Sequence, residues 1–161
     1  MKVMVLALVG LFVYSQTDAI GKVESSFDKK TNFAELHTYS WSGGARAYNE
    51  EAHRLVVAAF EKEMTALGFK QVPGGGDVTL SYYNITSTDV DLKKLDDAAR
   101  AGAATPTKMR ARMMIVMRAP KTRAELWTAI TREYVEPDQL AATVQRVADR
   151  LFATYPGKKV R

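Results

Sequence analysis

The 161-residue chain contains no cysteine. Disulfides, thiolate metal sites, thiol nucleophiles and a lipid carried on a cysteine are thereby excluded. Histidine is nearly as scarce, with His37 and His53 alone. Their spacing makes no local metal motif, and each reads as a structural or solvated side chain. No apolar run reaches membrane-spanning length: the longest, residues 3–14, has about 12 residues where a spanning helix needs roughly 20. Ser25, Ser26, Ser40 and Ser81 stand outside any nucleophile-elbow sequence, so no hydrolytic triad is expected. Gly74-Gly75-Gly76 is followed neither by Lys-Ser/Thr nor by a helix start, and reads as a turn rather than a phosphate loop. Asp89, Asp91, Asp96 and Asp97 lack the glycine and terminal glutamate of a calcium loop and read as a solvated face. The expectation is a protein that is not an enzyme and needs no metal or cofactor.

What is present starts at the first residues. Met1-Lys2 leads into the apolar run, and polar Ser15-Gln16-Thr17-Asp18 precedes Ala19. This is the pattern of a secretory leader, with Thr17 and Ala19 at the −3 and −1 positions of the cleavage site. The chain is therefore expected to be exported, to the periplasm or beyond, with residues 1–19 removed. About 140 residues would remain, enough for one domain with its own core. Lys2 and Asp18 cancel within the leader, so the formal net charge stays at +5. A pI near 9.4 favours anionic surfaces as partners. The rest divides into a domain over residues 20–157 and a basic tail, 158–161.

Periodicity supplies the elements. Residues 22–28 and 36–42 read as short strands joined by a polar link, which suggests antiparallel pairing. His37, Tyr39 and Trp41 share one face of the second, and Phe33 folds back as a plug. Residues 49–67 read as a helix capped by Asn49, with Ala52, Leu55, Val56, Ala59, Phe60 and Leu67 in one stripe and Gly68 ending it. A short strand at 69–72 precedes the glycine turn. Residues 77–86 form a strand with Val78, Leu80 and Tyr82 on one face and Thr79, Ser81 and Tyr83 on the other. Residues 87–108 read as a flexible, partly helical excursion. Residues 109–118 alternate Met109, Ala111, Met113, Ile115 and Met117 with Arg110, Arg112, Met114, Val116 and Arg118, and 125–134 return as a hairpin partner. The four methionines follow the strand period, which points to core packing rather than copper binding. Pro137 opens a last helix with a stripe from Leu140 to Tyr155. The predicted fold class is α+β, a single antiparallel sheet with two amphipathic helices packed on one face.

Several of these segments resemble a bacterial envelope family, domain of unknown function 4136. The resemblance rests on Phe27-Asp28 with Asn32-Phe33, on Leu36-His37-Thr38-Tyr39-Ser40-Trp41, and on Ala66-Leu67-Gly68-Phe69. It continues through Asp77-Val78-Thr79-Leu80-Ser81-Tyr82, Pro120-Lys121-Thr122, Leu126-Trp127 and Leu151-Phe152-Ala153-Thr154-Tyr155-Pro156, about residues 22–157. The resemblance implies an exported α+β domain, usually a lipoprotein, without an established reaction or catalytic residues to carry over. The chain departs from that pattern in having no cysteine for a lipid, which favours a soluble periplasmic or secreted form. It departs further in the excursion at 87–108 and in lacking a glycine-led entry to strand 109–118.

One constellation points to binding. Arg110 and Arg112 alternate to the same side of a strand, and Tyr83 lies on a neighbouring one. Arginines beside an aromatic ring on a sheet face can hold an anionic ligand by ion pairing and stacking. The leading expectation is a non-catalytic envelope domain that binds or scaffolds a protein or anionic component. The alternative is a small-ligand or anion-binding module using Arg110, Arg112 and Tyr83. Export makes nucleic acid an unexpected partner.

Overall fold

A computed structural model describes residues 21–44, 47, 49–89, 100 and 108–157. Six strands form one sheet: β1 (Glu24–Phe27), β2 (Thr38–Trp41), β3 (Lys70–Gln71), β4 (Val78–Asp89), β5 (Lys108–Arg118) and β6 (Glu125–Val135), in the order β1-β6-β5-β4-β2-β3. Two helices among the described residues, α1 (Glu50–Ala66) and α2 (Leu140–Phe152), pack side by side on one face. The α+β class and the placement of both helices hold. The leader with Thr17 and Ala19, the tail 158–161 and most of the excursion lie outside the described residues; β4 runs on to Asp89 and β5 begins at Lys108.

The sheet is mixed, which corrects the antiparallel expectation. β2 pairs in parallel with both β3 and β4, and the other pairings are antiparallel. The cause is α1. A helix placed between two strands carries the chain back to the end it left, so the next strand starts in the same direction. The short link between β1 and β2 likewise makes no hairpin. The chain passes through a 3-10 turn at Phe33–Glu35 that sinks Phe33 into the core. It then rises on the other side of the sheet, so that β1 joins β6 and β2 joins β4.

After β3 the chain must cross the end of β2 to begin β4. Gly76 makes this crossing possible: a Cβ there would stand 2.9 Å from the Tyr39 Cα. Asp77 then locks the crossing. Its Oδ2 accepts hydrogen bonds from the amides of His37 and Thr38 and from Thr38 Oγ1, each 2.9 Å, and its own amide donates to Thr38 Oγ1 at 2.9 Å. The His37 amide, then the Thr38 hydroxyl and amide, hold the Asp77 carboxyl below its ordinary value of 3.8.

α1 forms where the sequence places its ends, whereas α2 begins at Leu140, after a 3-10 turn at Pro137–Gln139, and ends at Phe152. Asn49 Oδ1 accepts from the Ala52 amide at 2.7 Å, and Gly68 leaves α1 at a φ of +88°. Ala52, Val56, Ala59, Phe60 and Met64 are buried along α1. Thr143, Val144, Val147, Ala148, Leu151 and Phe152 are buried along α2. They close over Val78, Leu80 and Tyr82 of β4, Met113, Ile115 and Met117 of β5, and Trp127 and Ala129 of β6. Trp127, Phe152 and Tyr155 pack ring to ring, with centroids 5.4 Å apart for each Trp127 contact. Glu133 of β6 meets Arg150 of α2, with Arg146 at 3.9 Å, which ties the helix to the sheet end.

Asp77 and Tyr155 carry opposite consequences for stability. Asp77→Ala should lose about 1–2 kcal/mol near neutral pH, the worth of charge-assisted hydrogen bonds discounted for exposure. Because the Asp77 pKa falls on folding, its contribution is complete above 3.8 and is lost as pH falls through the folded value. Urea unfolding of parent and variant should therefore converge in acid; an equal gap at both pH values would refute the clamp. Tyr155 behaves in the other sense. Burial pushes its phenol up to about 12, and its hydroxyl has no hydrogen-bond partner among the described residues. Tyr155→Phe should cost nothing and gain up to about 1 kcal/mol, since an unpartnered buried hydroxyl is removed. It should also resist unfolding better between pH 10 and about 12, where ionisation of Tyr155 opposes the parent fold; a destabilised variant would show that the hydroxyl has a partner.

Candidate functional site

The register of the central strands sorts side chains to two faces. Tyr82 stands opposite Ile115 and Ile115 opposite Ala129, all turned toward the helices. One residue on, the other face carries three successive cross-strand rows. These are Tyr83–Met114–Ile130, Ile85–Arg112–Arg132 and Arg110–Tyr134. Arg110, Arg112 and Tyr83 thus share the outward face, as their alternation requires.

The structure adds Arg132, which strand-by-strand reading misses. It stands directly opposite Arg112, and a like-charged pair in that position costs a sheet about 0.2–1 kcal/mol. Arg112 is exposed and makes no ion pair among the described residues, whereas Arg110, Arg132 and Tyr134 have contacts of their own. Ile85, in the same row, is 59% exposed, and Tyr134, opposite Arg110, is 41% exposed. The carboxylate of Glu24 belongs to the same face, opposite Ile130 on the far side of β6.

Tyr83 belongs to a different cluster from the one expected. Burial lowers the Arg118 pKa, but hydrogen bonds with Tyr83 and Glu125 outweigh it and hold the guanidinium above its ordinary value. Arg118 Nη2 donates to Glu125 Oε1 at 3.0 Å. The Tyr83–Arg118 contact spans the row of Ser81 and Val116, both of which are buried. One end of the outward face is thus a satisfied ion-pair network, and the other carries Arg112 and Ile85 to solvent.

Elsewhere polar side chains serve the fold. The Tyr82 hydroxyl bonds to Nδ1 of His53 and accepts from the Ala47 amide at 3.1 Å, while the two rings stack. This contact pins the loop before α1 against β4. Gly44 lies in the same loop, where a Cβ would meet the Tyr82 carbonyl oxygen at 2.2 Å. Trp41 Nε1 donates to Glu61 Oε1 at 3.0 Å. Burial, with Glu61 nearby, raises the Tyr39 phenol to about 12. His37 is exposed and precedes β2. Ser40 and Ser81 are buried on the face opposite the helices, and Ser25 and Ser26 lie on β1, three strands from Tyr82 and its His53. Among the described residues, no three His, Asp or Glu side chains gather as a metal site. A crevice of about 20 Å³ between the helices and the sheet is lined by Val56, Asn84, Met113, Thr131 and Val144. That volume suits one water rather than a ligand.

Known structures share this architecture. A PDZ domain protein from Parabacteroides distasonis ATCC 8503 superposes with a TM-score of 0.58 at 13% identity, over 86% of this chain and 36% of that one. The chain therefore spans about a third of that protein. The PelC dodecamer from Paraburkholderia phytofirmans superposes with a TM-score of 0.55 at 11% identity, over 87% of this chain and 99% of PelC. A point variant of the same PelC dodecamer gives 0.54 at 11% identity, over 83% and 97%. At such identities the likeness is one of fold. No curated protein sequence matches the chain. The family profile described as "Domain of unknown function (DUF4136)" matches residues 23–157, nearly the whole of the described domain, and the chain belongs to that family.

Proposed function

We propose that the chain is an exported, non-catalytic binding domain of the bacterial envelope, and that the outward face of its sheet holds an anionic partner. The observation that carries this reading is the placement of Arg112 opposite Arg132, with Arg110 two residues along the same strand. Two arginines set opposite each other cost a sheet stability, and an anion held at exposed Arg112 offsets that repulsion and accepts its forked donors. The non-catalytic part is supported by the separation of the four serines from His53 described above. Export is supported by the leader pattern at the N-terminus.

The full chain should be retained on immobilised polyphosphate in low salt and released as salt rises. Arg112→Ala and Arg110→Ala should elute earlier while keeping the parent's unfolding midpoint. Unchanged elution of both would remove the sheet face from the reading. Fractionation of expressing cells with N-terminal sequencing tests export: the soluble exported fraction should hold a chain that starts at or near Ile20. Specific turnover by the purified protein across hydrolase substrates would overturn the non-catalytic assignment.

A second reading, self-assembly into a scaffold, is favoured by the sheet edges. Among the described residues β1 and β3 each have a strand neighbour on one side only, and Phe27 at the end of β1 is 48% exposed. Unpaired edges can extend a sheet into another copy. Light scattering should then give a multiple of 17.9 kDa, less any leader removed, and Phe27→Asp should return the monomer. A monomer at every concentration would dismiss this reading.

A further inference from the structure

We propose that Ile85, Arg112 and Arg132, with Arg110 and Tyr134 in the next row, dock the domain onto a membrane surface that bears anionic phosphate headgroups. This rests on the reading above, that the outward face holds an anionic partner, and it names that partner's chemistry. Charge is the first support. Three guanidinium groups share two adjacent cross-strand rows, with strands about 5 Å apart and same-face residues about 7 Å apart. Arg112 is exposed and makes no ion pair among the described residues. Each basic side chain held near an anionic bilayer strengthens binding about fivefold.

The apolar company of those charges is the second support. Among the described residues three large hydrophobic side chains are exposed, Phe27, Ile85 and Tyr134. Two of the three lie in this block, Ile85 in the row of Arg112 and Tyr134 in the row of Arg110. A soluble polyanion gives Ile85 nothing to bury against. A headgroup region does: aliphatic and tyrosine side chains settle just below the phosphates that arginine binds from above. Shape is the third support. The block is part of a continuous sheet face, so both rows can meet a surface together. Among the described residues no helix is long and apolar enough to cross a membrane, and the contact is a peripheral one, broken by salt.

The test compares the full chain, as recovered from exporting cells, on vesicles containing phosphatidylglycerol and on pure phosphatidylcholine vesicles. Co-sedimentation should occur with the first, weaken as salt rises, and be absent with the second. Arg112→Glu should reduce it about 25-fold, the effect of two units of charge near the surface. That variant should fold at least as stably as the parent, because it places a glutamate opposite Arg132. Ile85→Ser should also lose vesicle binding, by about tenfold, while retaining parental elution from polyphosphate. Equal binding to the two vesicle types, or vesicle binding indifferent to Arg112→Glu and Ile85→Ser, overturns the proposal. Retention on polyphosphate without vesicle binding overturns the lipid partner and leaves the anionic reading standing; loss of both ends both.

Discussion

If β5 slid by one residue against its neighbours, Arg110, Arg112 and Arg118 would turn toward the helices and Met113, Ile115 and Met117 would turn to water. Several unpaired guanidinium groups would then enter an apolar core, at a cost of several kcal/mol for each. The alternation of β5 therefore holds the sheet in register more firmly than its hydrogen bonds do, since those can re-form one residue along. β4 and β6 obey the same parity. Leu80, Met117 and Trp127 form one buried row, and Tyr82, Ile115 and Ala129 the next. The basic outward face is the complement of this core and not an addition to it. Each residue that seals the helix side leaves its neighbour on the other.

That parity is the part of the fold most legible in the sequence, because it depends only on residues one and two apart. Both helices are legible for a similar reason. Asn49, Gly68 and Pro137 act within a turn of their own position, and the apolar stripes repeat locally. Met64 completes the α1 stripe from the position four residues past Phe60. The pairing of β1 and β2 is not legible in this way. Each is short, and the link between them looks like a hairpin until partners far along the chain are known. Thr131 Oγ1 donating to the Lys22 carbonyl at 2.9 Å is a contact that no local pattern announces. The crossing at Gly76 and Asp77 is similar. The sequence displays an acid after three glycines, but its role appears only once β2 lies beneath it.

Arg132 was hidden by a single irregularity. The β5–β6 hairpin shifts register between Met117 and Arg118, and Leu126 and Trp127 are both buried beside the shift. Counting back from Arg118 opposite Glu125 without the bulge would set Thr131 opposite Arg112. With the bulge, Thr131 faces the helices opposite Met113, and Arg132 meets Arg112. A bulge adds one residue to one strand and re-aims every side chain beyond it. The like-charged pair is therefore a consequence of how Leu126 and Trp127 are both accommodated in the core.

The two ends of the outward face differ because of what the arginines find there. Arg118 reaches Tyr83 and Glu125, and its charge is answered within the fold. Tyr83 is thereby in contact with Arg118, and Tyr134, which stands beside Arg110, is the more exposed of the two tyrosines. Arg112 meets another arginine in place of a carboxylate. A net charge of +5 spread evenly would serve solubility alone. Here Arg118 is paired with Glu125 at one end of the sheet, while Arg112 stands exposed in the row of exposed Ile85 at the other. Under the function proposed above, a face graded in this way would present an oriented edge to an anionic partner, and orientation is what distinguishes a docking surface from a generally basic protein.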